Sequence, residues 1–197
     1  MNHLAHARLS GADPLHCVGN VTGDFIKGPL APQGLAAKLR EGVQHHRLID
    51  RYTDDHAVTR ELRELFAPPF RRYANILLDV AFDYFLIQHW QRFAGIRRAA
   101  FVGNVYDLLL EYRHELPAPL AEVTPRLVAH DWLSRCESLD GIESTLRGLS
   151  GRLQRRNPLA DGAAEINRHA AQIEAGFLAF FPQALAFSDA LTTGSRN

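Results

Sequence analysis

Residues 75–93, NILLDVAFDYFLIQHWQRF, decide the fold. Nearly every position is apolar, so a helix formed here is hydrophobic almost all round and belongs inside a core. Asp79 and Asp83 interrupt it four residues apart, which stacks them on one helical face in line with Leu86 and Trp90. Two like charges side by side in apolar surroundings cost several kcal/mol unless a cation or hydrogen-bond donors compensate. The stretch therefore predicts a positive centre beside the pair, or a structural use of both aspartates in capping neighbouring helices or meeting arginines.

Outward from this stretch the periodicity stays helical. Apolar spacing predicts helices over 2–9, 15–27, 32–53, 57–66, 99–115, 120–136, 141–155 and 163–180, with a weak segment from Pro182 and a frayed TTGSRN tail. Gly28-Pro29, Pro68-Pro69, Pro117 with Pro119, and Asn157-Pro158 supply the breaks. Thr53 is placed to cap the helix that follows it. Runs of alternating β-branched residues are missing, so the expectation is an all-α single-domain helical bundle over 1–197.

Composition narrows the function classes. Lys+Arg and Asp+Glu balance at 22 each, so no global field draws the chain to nucleic acid or an anionic membrane. Cys17 and Cys136 have no zinc-site or disulfide spacing and read as small buried hydrophobes. The opening MNHLAHARLSGADPLH lacks the pattern of a signal peptide. Charged residues and His89 cut the longest apolar run well short of the about 20 residues of a transmembrane span. A cytoplasmic location, with no membrane and no nucleic-acid partner, is the expectation.

The N-terminal half is rich in ligand-type side chains. His6, Asp24, the stripe His46, Asp50 and Asp54 at four-residue spacing, and the pair Asp79 and Asp83 lie on four separate helical segments. Carboxylate oxygens suit Mg or Mn, and imidazole suits Mn, Fe or Zn, so a divalent metal site is expected where these segments meet. No HExxH, GxxxxGK[ST], GxGxxG or GxSxG is present. Glu111 and His114 make only one of the two Glu-x-x-His pairs of a di-iron bundle. The dipeptide His130-Asp131 matches the dyad of HD-type phosphohydrolases, yet its neighbours Leu127, Val128, Trp132 and Leu133 read as an ordinary helix face.

With these stretches in hand, the chain resembles the bacterial acyl carrier protein phosphodiesterases. The matching segments are Asn2-x-Leu4-Ala5-His6, Gly19-Asn20 with Asp24-Phe25 and Gly28, His46-Arg47-x-Ile49-Asp50 with Thr53-Asp54, and Leu78-Asp79-Val80 with Asp83-x-Phe85-Leu86. The resemblance implies an HD-phosphohydrolase-like helical fold and hydrolysis of the phosphodiester joining 4'-phosphopantetheine to the serine of holo-acyl carrier protein. It implies a divalent metal, Mn²⁺ first, with Mg²⁺ or Fe²⁺ possible. His46 and Asp50 stand four apart, not adjacent as in the HD dyad.

On that basis Asp24, His46, Asp79 and Asp83 are the expected metal ligands. Asp50 is a further ligand or a group orienting His46, and His6 a ligand or the acid that protonates the leaving oxygen. Acyl carrier proteins are acidic, so Arg47, Arg51, Arg71, Arg72, Arg97 and Arg98 are the expected docking residues. A metal-dependent hydrolase of small nucleotides, or a helical adaptor with a purely structural acid and imidazole cluster, are the alternatives from the residues alone.

Overall fold

The computed structural model describes residues 1–194. Eleven α-helices are present among them: α1 (His3–Arg8), α2 (Pro14–Thr22), α3 (Ala37–Asp55), α4 (Ala57–Glu64), α5 (Ala74–Gln88), α6 (Trp90–Phe93), α7 (Arg98–Glu111), α8 (Ala118–Ala129), α9 (Leu139–Arg152), α10 (Gly162–Arg168) and α11 (Ala170–Gly194). No strand occurs among the described residues, so the all-α expectation holds. Ser195, Arg196 and Asn197, half of the tail expected to fray, lie outside them.

The apolar stretch becomes α5 and sits where its composition requires. Leu77, Val80, Ala81, Phe82 and Leu86 are at most 1% exposed, and α5 touches α1, α4, α9, α10 and α11. Its aromatic rings meet those of α11: Phe82 lies 5.5 Å from both Phe177 and Phe180. Each fully buried side chain of this size contributes about 1.5–3 kcal/mol. The N-terminal layer, α2 against α3, packs unusually close, because a Cβ on Gly42 would fall 2.1 Å from the His16 carbonyl oxygen. That contact brings the polar half of α3 up to the residues that follow α2.

Several boundaries differ from expectation, each for a local reason. The helix expected over 75–93 stops at Gln88, and His89 turns the chain into α6. The helix expected over 120–136 ends at Ala129, where Asp131 takes a left-handed φ of 43°. Asp131 accepts a hydrogen bond from the Tyr106 hydroxyl at 2.7 Å, and that hydroxyl accepts one from the Leu133 N–H, also at 2.7 Å. The His130-Asp131 dipeptide is thus a turn. His56, not Thr53, caps α4, its Nδ1 accepting from the Val58 N–H.

The C-terminal helix carries the largest correction. Pro182 has no N–H and reads as a break, yet α11 runs through it to Gly194. Buried residues on both sides keep it continuous: Phe177, Phe180 and Phe181 before the proline, and Ala184 and Ser188 after it. The Ser188 hydroxyl donates to the Leu9 carbonyl oxygen. Over Ala170–Thr193 this is the one helix among the described residues long and apolar enough to cross a membrane, which the apolar runs alone did not reveal. Its inward face is core to this domain.

Asp83 is used structurally. Its two oxygens accept from the backbone N–H groups of Leu4, at 3.1 Å, and Ala5, at 3.0 Å, in the first turn of α1. Burial pushes its carboxyl up to about 7, against those two donors, which favour the anion. Asp83→Ala leaves two buried donors without an acceptor, at roughly 1–3 kcal/mol each. A fall in Tm of about 10 °C is expected by calorimetry. Asp83→Asn keeps a carbonyl acceptor. Because the native carboxyl binds its proton more tightly than the unfolded one, the wild type loses stability from about pH 4 to about pH 7. The Asn variant lacks that slope, so its Tm relative to wild type should rise across the window.

Candidate metal centre and active site

Four backbone segments converge at one place. α1 supplies His6, the 3₁₀ turn Gly23–Phe25 supplies Asp24, α3 supplies His46 and Asp50, and α5 supplies Asp79. Period-four spacing puts His46 and Asp50 on the same face of α3, with Nε2 of His46 3.1 Å from Oδ2 of Asp50. The ring of His6 stacks on that of His46 with centroids 3.8 Å apart. One ligand atom each from His6, His46 and Asp50 lies within 4.8 Å of the other two.

Two contacts fix the imidazoles. His46 Nδ1 is 2.8 Å from the Asn20 carbonyl oxygen, so Nδ1 carries a hydrogen and Nε2 is the nitrogen turned toward the carboxylates. His6 Nδ1 is 3.1 Å from Asn20 Oδ1, while the Asn20 side-chain amide donates to the His6 carbonyl oxygen and to Ser10 Oγ. His6 Nε2 then points at Asp50 Oδ1, 3.0 Å away. Gly23 leaves room for the His46 ring: a Cβ there would lie 2.4 Å from its Cγ. Arg47 donates to the carbonyl oxygens of Ile26 and Gly28 and so pins the turn that carries Asp24.

The electrostatics are those of a site that lacks positive charge. His46 Nε2 is buried, faces Asp50 and, at 3.6 Å, Asp24, and has no aligned hydrogen-bond partner. Burial opposes protonation of this ring, but the two carboxylates outweigh it and raise His46 to about 9. Burial, then the charge of His46, lowers His6 to about 3. Burial would raise Asp24 and Asp50, yet His46 holds both well below the usual carboxylate range. The Met1 ammonium bridges Asp50, at 3.2 Å, and Asp79, at 2.9 Å. Burial works against it, and the two aspartates overcome this to hold it near 11.

These residues fit a divalent cation. Asp24, Asp50 and Asp79 face the Met1 ammonium and the proton on His46, which leaves the cluster short of positive charge, and loss of that proton frees a second imidazole nitrogen beside that of His6. Hard carboxylate oxygens with imidazole are a donor set for Mn, Fe or Mg. The exposed edges lie with the carboxylates, at 45% for Asp24, 36% for Asp50 and 39% for Asp79, while His6 and His46 are sealed beneath at 0% and 2%.

The other expected residues are placed elsewhere. Asp83 is committed to α1, and Asp54 accepts from Asn75 at 3.0 Å. Among the arginines, Arg71 pairs with Glu64 and Arg98 with Glu137. Arg72 lies over the Tyr73 ring at 5.9 Å, and Arg51 and Arg97 are exposed. Asn20 and Met1 carry roles that sequence reasoning missed. Asn20 appears there only within the matching Gly19-Asn20 segment, with no role attached to it.

A model of acyl carrier protein phosphodiesterases matches residues 1–184. The chain belongs to that family. A phosphodiesterase of this name from Klebsiella pneumoniae (strain 342) is 33% identical over 191 residues, covering 96% of this chain and 98% of the relative. One from Salmonella agona (strain SL483) is 32% identical over 187 residues, covering 94% and 96%. No solved structure matches the chain, so the expected HD-type fold has no counterpart there. The match to the acyl carrier protein phosphodiesterases contains every residue of the cluster and reaches well into α11.

Gly23→Ala tests the arrangement of the cluster. In metal-free protein the His46 ring should titrate near 9 in the wild type. In the variant, with the ring displaced, it should move toward the ordinary value of about 6.5. Histidine NMR resonances followed against pH read both.

Proposed function

We propose that this protein hydrolyses the phosphodiester joining 4'-phosphopantetheine to the serine of holo-acyl carrier protein, releasing the apo form. The observation that carries the reading is the pair of buried imidazoles whose Nε2 atoms both face Asp50 within a chain of this family. His6, His46 and Asp50 would hold a divalent metal, Mn²⁺ first, with Asp24 and Asp79 beside them. When bound, such an ion neutralises charge on the phosphodiester oxygens and brings the pKa of a bound water toward neutrality.

The chain's own groups do the rest. Asn20 fixes the tautomers of both histidines, so their Nε2 atoms face the reacting side. His6 remains neutral at any working pH, which favours it as a ligand over an acid. Asp24, ionised and on the open edge, can orient a water by accepting its hydrogen bond. The exposed Arg51, next in sequence to Asp50, and the exposed Arg72 and Arg97 offer guanidinium groups to an acidic carrier. A cytoplasmic location belongs to the same reading.

The test is mass-resolved conversion of purified holo-carrier to apo-carrier with Mn²⁺ and with EDTA. His46→Ala and Asp50→Asn should each lower kcat by about a thousandfold with the fold intact by circular dichroism. Conversion that persists in EDTA, or in both variants, removes the proposal. Metal uptake by EDTA-treated protein should displace the His46 proton, which is held up to about 9. Affinity should therefore rise about tenfold per pH unit below that value, with proton release measurable by calorimetry in two buffers.

A further inference from the structure

Beside the metal centre lies a cleft that the reading so far does not use. His3, Phe25 and Trp132 form its inner wall: the His3 ring stacks on Phe25 at 5.6 Å and meets Trp132 edge-on at 4.5 Å, and Phe25 and Trp132 are 5.9 Å apart. Phe25 directly follows Asp24, and the charges of Asp24 and His46 both act on His3. The cleft therefore borders the cluster along His3 and Phe25. Arg135 and Arg152, both exposed, line it farther out. Its volume is about 90 Å³, the space of about three waters.

Phe25 is 38% exposed next to a carboxylate on the open edge, with the His3 and Trp132 rings against it. An exposed aromatic wall in a polar-mouthed cleft is the usual composition of a small-molecule site. The substrate's chemistry says what fills it. A phosphate seated at Asp24, His46 and Asp50 carries two ester branches, one to the carrier serine and one to the pantetheine arm. The carrier is too large for the cleft and must stay on the open side. The arm begins with a quaternary carbon bearing two methyl groups, followed by a hydroxyl and an amide.

Resting on the phosphodiesterase reading above, we infer that the cleft walled by His3, Phe25 and Trp132 receives the phosphate-proximal end of the pantetheine arm, its dimethyl group against the rings, with the rest of the arm leaving past Arg135 and Arg152. The three rings select the arm; they are not catalytic. Substrates without an arm reach the cluster and gain nothing from the cleft.

Gly148, on α9, offers a clean obstruction, because it lines the cleft and a Cβ built there meets nothing within 4 Å. Gly148→Leu should fill the cleft without disturbing the helix. Its kcat/KM for holo-carrier, divided by that for bis(4-nitrophenyl) phosphate, should fall about tenfold or more, as should the ratio for Phe25→Ala. Unphosphorylated pantetheine should inhibit wild-type holo-carrier hydrolysis competitively, with Ki raised by a similar factor in both variants. Gly103→Leu, on α7 where a Cβ also meets nothing within 4 Å, should leave both rates unchanged. If the wild type cleaves holo-carrier but neither variant changes the ratio, or pantetheine does not compete, the cleft assignment is overturned while the phosphodiesterase reading stands. If the wild type cleaves only the small diester, that reading fails and the arm site falls with it.

Discussion

One carboxylate determines where the N-terminus of this protein goes. Asp83, deep on α5, accepts two of the free N–H groups in the first turn of α1 and so anchors a six-residue helix that is too short to be stable alone. From that anchor follow the position of His6 beneath Asp50, of His3 in the wall of the neighbouring cleft, and of the Met1 ammonium between Asp50 and Asp79. A core helix made almost entirely of apolar residues thus carries two aspartates for different reasons. Asp83 builds the scaffold, and Asp79, one turn away, meets the Met1 ammonium beside Asp50.

Around that anchor the site is organised by a deficit of positive charge. Three carboxylates gather at the open edge over two sealed imidazoles, and the Met1 ammonium and the proton held by His46 supply part of what is missing. The hydrogen bonds from both histidines to Asn20 matter because they leave each Nε2 pointing into the same negative region. A divalent ion bound there would compete with the proton on His46, so metal binding and proton binding at this site would be linked.

Much of this was legible before folding. The helical period, the apolar stretch, the proline and glycine breaks and the His46/Asp50 spacing are local properties, and the structure uses them nearly as written. Where local signals misled, packing overrode them. Pro182 signals a break, but rings buried on one side and Ser188 bonded to Leu9 on the other hold α11 continuous. His130-Asp131 resembles a dyad, yet Tyr106 converts it into a turn from another helix. Asp83 and Asp79 share a helical face, and nothing in their spacing distinguishes the one that caps α1 from the one that meets the Met1 ammonium.

By itself the sequence determined that this is an all-α chain built on one buried helix, carrying an acid and imidazole set of metal-binding character, because hydrophobic period and residue chemistry are local. Only the tertiary structure decided which members of that set meet, which arginines are engaged with glutamates or backbone, and that an aromatic cleft opens beside Asp24. Those outcomes depend on distances between residues far apart in the chain, such as His3 and Trp132, and packing across the whole core sets such distances.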